Sequence, residues 1–219
     1  MTTRPDSTTE EPDIGAGTDA DAAGRPHTGR RRNEQVRRAI LDAVMRLLAR
    51  ADGSPVTVDT IAKEAGVGKQ TIYRWWPSKG AVFLDALTDH AVTVVPDADT
   101  GTLAHDLEIV IGASYTGAVA PQTAPVLTTL VREAAHDPHL AAMMRDFTAV
   151  RRAALHAVLE RARARGELAE DADVELMVDQ VYGVLWYRLL VGHAPLDETV
   201  ANRLAATLTA GNAPKESTT

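Results

Sequence analysis

Apolar residues recur at helical period along most of this 219-residue chain, and breaker residues divide them into a series of helices. Val36, Ile40, Ala43, Val44, Leu47 and Leu48 mark one face of a helix from about Asn33 to Ala51. After the loop composition of Asp52-Gly53-Ser54-Pro55, Ile61, Ala62 and Ala65 predict a helix of two turns, capped by Thr57 and stopped by Gly66. A second short helix, Lys69 to Trp76, carries Ile72 and Trp76 at i, i+4, and Ser78 caps a helix from Lys79 to about Val95. Beyond the turn-rich stretch 96–101, helices are expected over Thr102–Ala118, Ala124–Ala135, His139–Arg165 and Val174–Val191, and from Leu196 or Asp197 to Ala210. Their inward positions include Leu103, Leu107, Val110, Ile111 and Tyr115, and then Leu140, Met143, Met144, Phe147, Val150 and Leu155. No strand pattern competes. The expected fold class is all-α with about nine helices: an N-terminal three-helix domain over 30–78 and a larger helical domain over 79–211. Polar tails, 1–29 and 212–219, are too poor in apolar residues to order themselves.

The two short helices carry the functional signal. Opposite Ile72 and Trp76, the second presents Lys69, Gln70, Thr71, Tyr73 and Arg74. A helix bearing base-reading and phosphate-binding side chains, held by a partner helix across a glycine turn, is the helix-turn-helix pattern. The spacing is more specific still. Thr57, Ile61-Ala62, Ala65-Gly66-Val67, Thr71-Ile72-Tyr73, two aromatics, then Ser78 and Lys79 resembles the DNA-binding domain of the TetR family of transcriptional regulators. The resemblance covers Arg32 to Leu87 closely and the remainder by helix layout alone. Gly68 stands where serine is usual, which forgoes a side-chain cap worth about a few tenths of a kcal/mol. Trp75-Trp76 replaces the usual His/Tyr-Phe pair.

The resemblance implies a homodimeric regulator, a repressor released from a palindromic double-stranded operator by a small-molecule effector bound in the larger domain. In such a protein Lys69 and Gln70 read bases, while Thr57, Thr71, Tyr73, Arg74 and Lys79 fix the helix on phosphates. Arg32, ending the run Arg30-Arg31-Arg32, belongs to a basic arm, and Trp75 faces the sugar-phosphate backbone. Trp76 is expected in the core.

Charge first seems to oppose this reading, since the chain carries a net −7. Divided, residues 1–29 hold two basic residues against six acids, residues 30–89 hold eleven against seven, and residues 90–219 hold ten against seventeen. The basic surplus sits on the motif, and nucleic acid responds to local charge. With no cysteine, thiolate catalysis and Cys-type zinc sites are excluded. No catalytic motif is present, and Pro138 between His136 and His139 spoils a metal-binding register, so neither an enzyme nor a cofactor is expected. The polar, acidic start is no export signal and no apolar run reaches membrane-spanning length, so the expected place is the cytoplasm, away from membranes. A helical ligand-binding or protein-interaction module with a vestigial DNA surface remains the competing reading.

Two further expectations concern the larger domain. The Val174–Val191 helix is apolar around its circumference, which suits a dimer interface shared with the last helix, with Tyr182, Leu185 and Leu189 in the contact. Tyr115, Met143, Phe147 and Trp186 are the expected lining of an effector cavity beside the Lys79–Val95 helix. Few aromatics and no evident buried charge suggest a largely apolar effector.

Overall fold

The structure, a computed structural model, describes residues 27–50, 56–94, 98–121 and 123–214, with side chains at 27–30 and 91–94 excepted. The expected disordered tails up to residue 26 and from 215, the loop 52–55 and positions 96–97 of the turn-rich stretch lie outside these residues. Among them the chain is helical throughout: α1 (His27–Ala49), α2 (Val58–Ala65), α3 (Lys69–Trp75), α4 (Lys79–Val94), α5 (Leu103–Val119), α6 (Ala124–Ala134), α7 (Pro138–Ala164), α8 (Val174–Val191) and α9 (Glu198–Gly211). No helix among the described residues is long and apolar enough to cross a membrane. By packing, residues 1–35 and 36–219 form two units. Of the first, residues 31–35 on the opening turns of α1 are all exposed. The other elements belong to the second unit.

Local chemistry explains why the two short helices form. Thr57 closes a capping box in which its hydroxyl accepts from the Thr60 N–H and the Thr60 hydroxyl accepts from the Thr57 N–H. Threonine here takes the place of the usual Glu or Gln. Gly66 stops α2 with φ 67°, a left-handed backbone that any other residue would adopt under strain. Both helices are too short to persist alone and depend on burial of Ile61, Ala62 and Ile72 against Ile40, Leu41, Val44 and Leu48 of α1.

Trp76 is buried as expected, but its polar end matters as much as its ring. The indole Nε1–H donates to Asp85 of α4 at 2.9 Å, and Asp85 also accepts two bonds from the Arg37 guanidinium of α1 at 2.7 and 2.8 Å. One carboxylate thus joins the end of α3 to both α1 and α4.

Helix α4 begins at Ser78, whose hydroxyl accepts from the Ala81 N–H at 3.1 Å. Its first turn comes very close to α6 and α7. A Cβ on Gly80 would lie 3.1 Å from Glu133 Oε2 and 3.3 Å from the Cδ2 atoms of Leu130 and Leu140. Glycine is what lets the strut after the recognition element pack this tightly.

In the larger part, α5 is central, with Leu103, Leu107, Val110, Ile111 and Tyr115 buried among α7, α8 and α9. Its start is tied to the end of α7 by the fully buried Asp106, which accepts from the Thr100 N–H and hydroxyl at 2.7 and 2.8 Å and from Arg165 at 3.1 Å. Arg165 also pairs with Glu167, whose other oxygen accepts from the Leu103 N–H at 2.6 Å. Arg161 and Arg163 likewise reach out of their helix, to the Ala98 and Ala172 carbonyls. From the C-terminal end of α7 these arginines clamp neighbouring loops.

Two expectations need correction. On α7, Val150 is 39% exposed, and the inward position one residue later belongs to Arg151. On α8, Tyr182 and Leu185 are buried within the protomer at 5% and 3%, so neither is free to form a dimer contact, and Leu189 is half-buried. The outward apolar residues are Leu176, Tyr187, Leu190 and Val191. Counting apolar residues around a helix does not tell which arc faces the protomer's own core.

Candidate functional site

Helix α3 projects Lys69, Gln70, Tyr73, Arg74 and Trp75 into solvent, with Thr71 half-buried beside Ile72. Lys69 pairs with Asp59 across the turn, between two largely exposed side chains, so the ammonium can leave that partner at little cost. Trp75 stacks at a tilt on Trp76, 6.2 Å between ring centroids, which holds it at the edge of the exposed face. Lys79, at the start of α4, lies 5.6 Å over the Phe83 ring with its side chain still exposed. Thr57 is less free: its hydroxyl oxygen serves the α2 cap, and its proton has only a long 3.4 Å contact with the Thr60 oxygen. Arg32 lies on the exposed opening of α1, in the other unit. The structure therefore brings Lys69, Gln70, Tyr73, Arg74 and Trp75 onto one element, with Lys79 following four residues after Trp75.

Behind this surface, Glu64 of α2 holds Arg46 of α1 at 3.0 Å and Arg50, just past the end of α1, at 2.7 Å. The Arg46 and Arg50 hydrogen bonds keep the Glu64 carboxyl below the ordinary carboxylate range against a smaller opposing effect of burial.

A cavity of about 420 Å³ lies among α1, α4, α5, α6, α7 and α8, within the roughly 300–1,000 Å³ typical of ligand sites. Its walls are mostly apolar: Leu87 of α4, Leu127 of α6, Phe147 of α7, and Leu185 and Trp186 of α8. Arg46 and His90 also line it, and both are exposed. Of the four lining residues expected from sequence, Phe147 and Trp186 stand on the cavity wall. Tyr115 does not: it is fully buried, and its hydroxyl donates to the Val181 carbonyl at 2.9 Å. Met143 packs half-buried against the core and is also absent from the wall.

Sequence reading missed the polar part of the cavity. Arg151 lines it, with its guanidinium carbon 4.7 Å from the centre of the Phe147 ring. Burial pulls the Arg151 pKa down, against an opposing pull from Tyr182. Tyr182 donates to the Arg151 carbonyl at 2.9 Å; burial pushes its own pKa up, while Arg151 and Ser114 draw it down. Ser114 Oγ, although close to Tyr182, makes no hydrogen bond of acceptable geometry. A signal for Arg151 was present in the sequence. It stands four residues after Phe147 and four before Leu155, in the middle of an apolar stripe.

Comparison with known proteins agrees with this geometry. Residues 40–86 match the family described as bacterial regulatory proteins, tetR family, and residues 97–208 match the tetracyclin repressor-like C-terminal domain. The HTH-type transcriptional regulator YdeS of Bacillus subtilis is 35% identical over 164 residues, 74% of this chain and 82% of that one. The DNA-binding transcriptional repressor TetR of Mycobacteroides abscessus is 32% identical over 176 residues, 79% of this chain and 91% of that one. Among solved structures, the TetR family transcription regulator SCO0332 superposes with a TM-score of 0.73 at 34% identity, covering 82% of this chain and 100% of that one.

Proposed function

The chain belongs to the TetR family of DNA-binding transcriptional regulators, and from that premise we propose that it is a repressor freed from a palindromic operator when a small molecule fills the α4–α8 cavity. Residues 30–78 read DNA, and residues 79–211 bind the effector and pair two copies. The observation that carries this reading is the double duty of α4. It starts four residues after α3 ends, and its later turns supply Leu87 and His90 to the cavity.

Coupling follows from shared walls. Helices α4, α6 and α7 each contribute to the cavity through Leu87, Leu127 and Phe147, and the same helices meet at Gly80, Leu130 and Leu140 beside the recognition element. An occupant that spreads these walls tilts α4 about its tight first turn and changes the spacing of two recognition helices in a dimer. An effector favouring the released state 100-fold shifts the equilibrium by about 2.7 kcal/mol per site, enough to clear an operator near half-occupancy.

On DNA, Lys69 and Gln70 at the N-terminal end of α3 read base edges. Tyr73, Arg74, Trp75 and Lys79 contact the backbone, with a smaller part for Thr57 and Thr71 and a basic arm that includes Arg32. The dimer contact forms through the outward face of α8, where Leu176, Gln180, Gly183, Tyr187 and Leu190 recur at helical spacing.

Selection of binding sites from random duplexes, followed by fluorescence anisotropy, tests the reading. The selected sites should be inverted repeats. Lys69→Ala should cost about 1–3 kcal/mol on them and relax the preferred sequence, whereas Lys79→Ala should weaken all duplexes alike and reduce the salt slope by about one. Selected sites without a repeat, or equal effects of both variants on selected and random DNA, would overturn it.

A further inference from the structure

We propose that the cavity takes an organic carboxylate, an apolar body bearing one anionic group that pairs with Arg151. This rests on the reading of the cavity as the effector site and specifies the chemistry of its occupant.

The charged lining is one-sided. Arg46, His90 and Arg151 border the cavity, and among the described residues no aspartate or glutamate does. Arg46 is already neutralised by Glu64 of α2. Arg151 has no carboxylate partner among the described residues; its neighbours are the Phe147 ring and the Tyr182 hydroxyl region, and its Nε has no hydrogen-bond partner. A desolvated guanidinium with an unused donor weakens the protein that carries it, and a ligand supplying the missing acceptor removes that cost only when bound. Such a site discriminates sharply between ligands that complete it and ligands that do not.

The geometry favours a carboxylate. The Arg151 guanidinium lies over the Phe147 ring, and a guanidinium offers a fork of parallel N–H donors that matches the two oxygens of a carboxylate. The unbonded Ser114 hydroxyl lies on the same cavity wall as a further donor. One unpaired cation in an apolar chamber balances one negative charge, which argues against a dianionic phosphate. The remaining walls, Leu87, Leu127, Leu185 and Trp186, are suited to a hydrocarbon or aromatic body. The expectation of a largely apolar effector is thereby narrowed to an apolar acid.

Calorimetry and thermal shift on the full chain, without DNA, read the proposal directly. The probes are decanoate and 2-naphthoate, each set against its uncharged primary amide. At least one acid should bind about ten- to a hundredfold more tightly than its amide, as expected for a charged hydrogen-bonded pair. Arg151→Gln should abolish that preference while keeping amide binding and a normal helical circular dichroism spectrum, and Arg151→Lys should retain part of it. Equal binding of acid and amide to the unaltered protein, or a preference that survives in Arg151→Gln, overturns the carboxylate assignment but leaves the cavity as a ligand site. Failure of all four probes to bind overturns both. DNA release is scored separately, so a carboxylate that binds without releasing DNA counts against the repressor reading alone.

Discussion

Removing the Asp85 carboxylate should uncouple the recognition helix from the two helices that hold it. Asp85 accepts from Trp76 Nε1 at 2.9 Å and from Arg37 at 2.7 and 2.8 Å, and the Arg37 and Asp85 side chains are 26% and 23% exposed. In Asp85→Ala the ion pair is lost, worth about 0.5–1 kcal/mol at this exposure. The indole N–H of Trp76, on a side chain only 4% exposed, also loses its acceptor, which costs about 1–2 kcal/mol. The sum is about 1.5–3 kcal/mol, or a fall in melting temperature of roughly 3–12 °C for a protein of this size. Asp85→Asn keeps an amide oxygen for the indole and forfeits only the charge, so its loss should be about 1 kcal/mol. Thermal unfolding followed by circular dichroism gives both values, and operator affinity by fluorescence anisotropy should fall more in the alanine variant because α3 loses its anchor. Equal melting temperatures for the two variants would show that the indole bond contributes nothing, and an unchanged Asp85→Ala would refute the anchoring argument altogether.

Tyr187→Glu should give a folded monomer with weakened operator binding, because Tyr187 is 60% exposed on the outer face of α8, whereas Leu185→Glu buries a charge and should unfold the protein. Sedimentation of the unaltered chain as a monomer at micromolar concentration would refute the dimer. For Asp106 and Glu167 burial alone would raise the carboxyl pKa values, but bonds from Thr100, Leu103 and Arg165 outweigh it and both lie below the ordinary range. A depressed folded-state value adds stability above the unfolded value that is lost as pH falls through the folded one. The melting temperature should therefore drop below about pH 4.5, less steeply in Asp106→Asn, and an identical acid profile in that variant would refute the assignment. Gly80→Ala sets overpacking of about 1–3 kcal/mol against a helix-propensity gain of up to about 1, so a net loss near 1 kcal/mol is expected in denaturant titration; a gain would show that Leu130 and Leu140 yield freely.

Local grammar carried much of the outcome. The helix-turn-helix pair was legible because caps, the left-handed glycine and an apolar face three or four residues apart are short-range features, settled within a few turns of Thr57, Gly66 and Ile72. The same applies to Gly166, whose φ of 77° ends the last turn of α7, and to Asp173 and Asp197, which cap α8 and α9. Where the sequence left the start of the last helix at Leu196 or Asp197, the Asp197 side chain settled it by accepting from the Val200 N–H.

What the sequence by itself determined is the order and polarity of the helices, since 3.6-residue periodicity and capping are properties of adjacent residues. Only the tertiary structure decided which arc of each helix met which neighbour. Tyr182 and Leu185 look like interface residues until the fold is seen to bury them within the protomer, and Arg151 is only a charge in an apolar stripe until Phe147 and Tyr182 are seen beside it. Asp85 carries no local mark of its role, because its partners Arg37 and Trp76 stand 48 and 9 residues away. Hydrogen bonds and cavities of this kind arise from distances between elements, which the spacing of residues within one element does not encode.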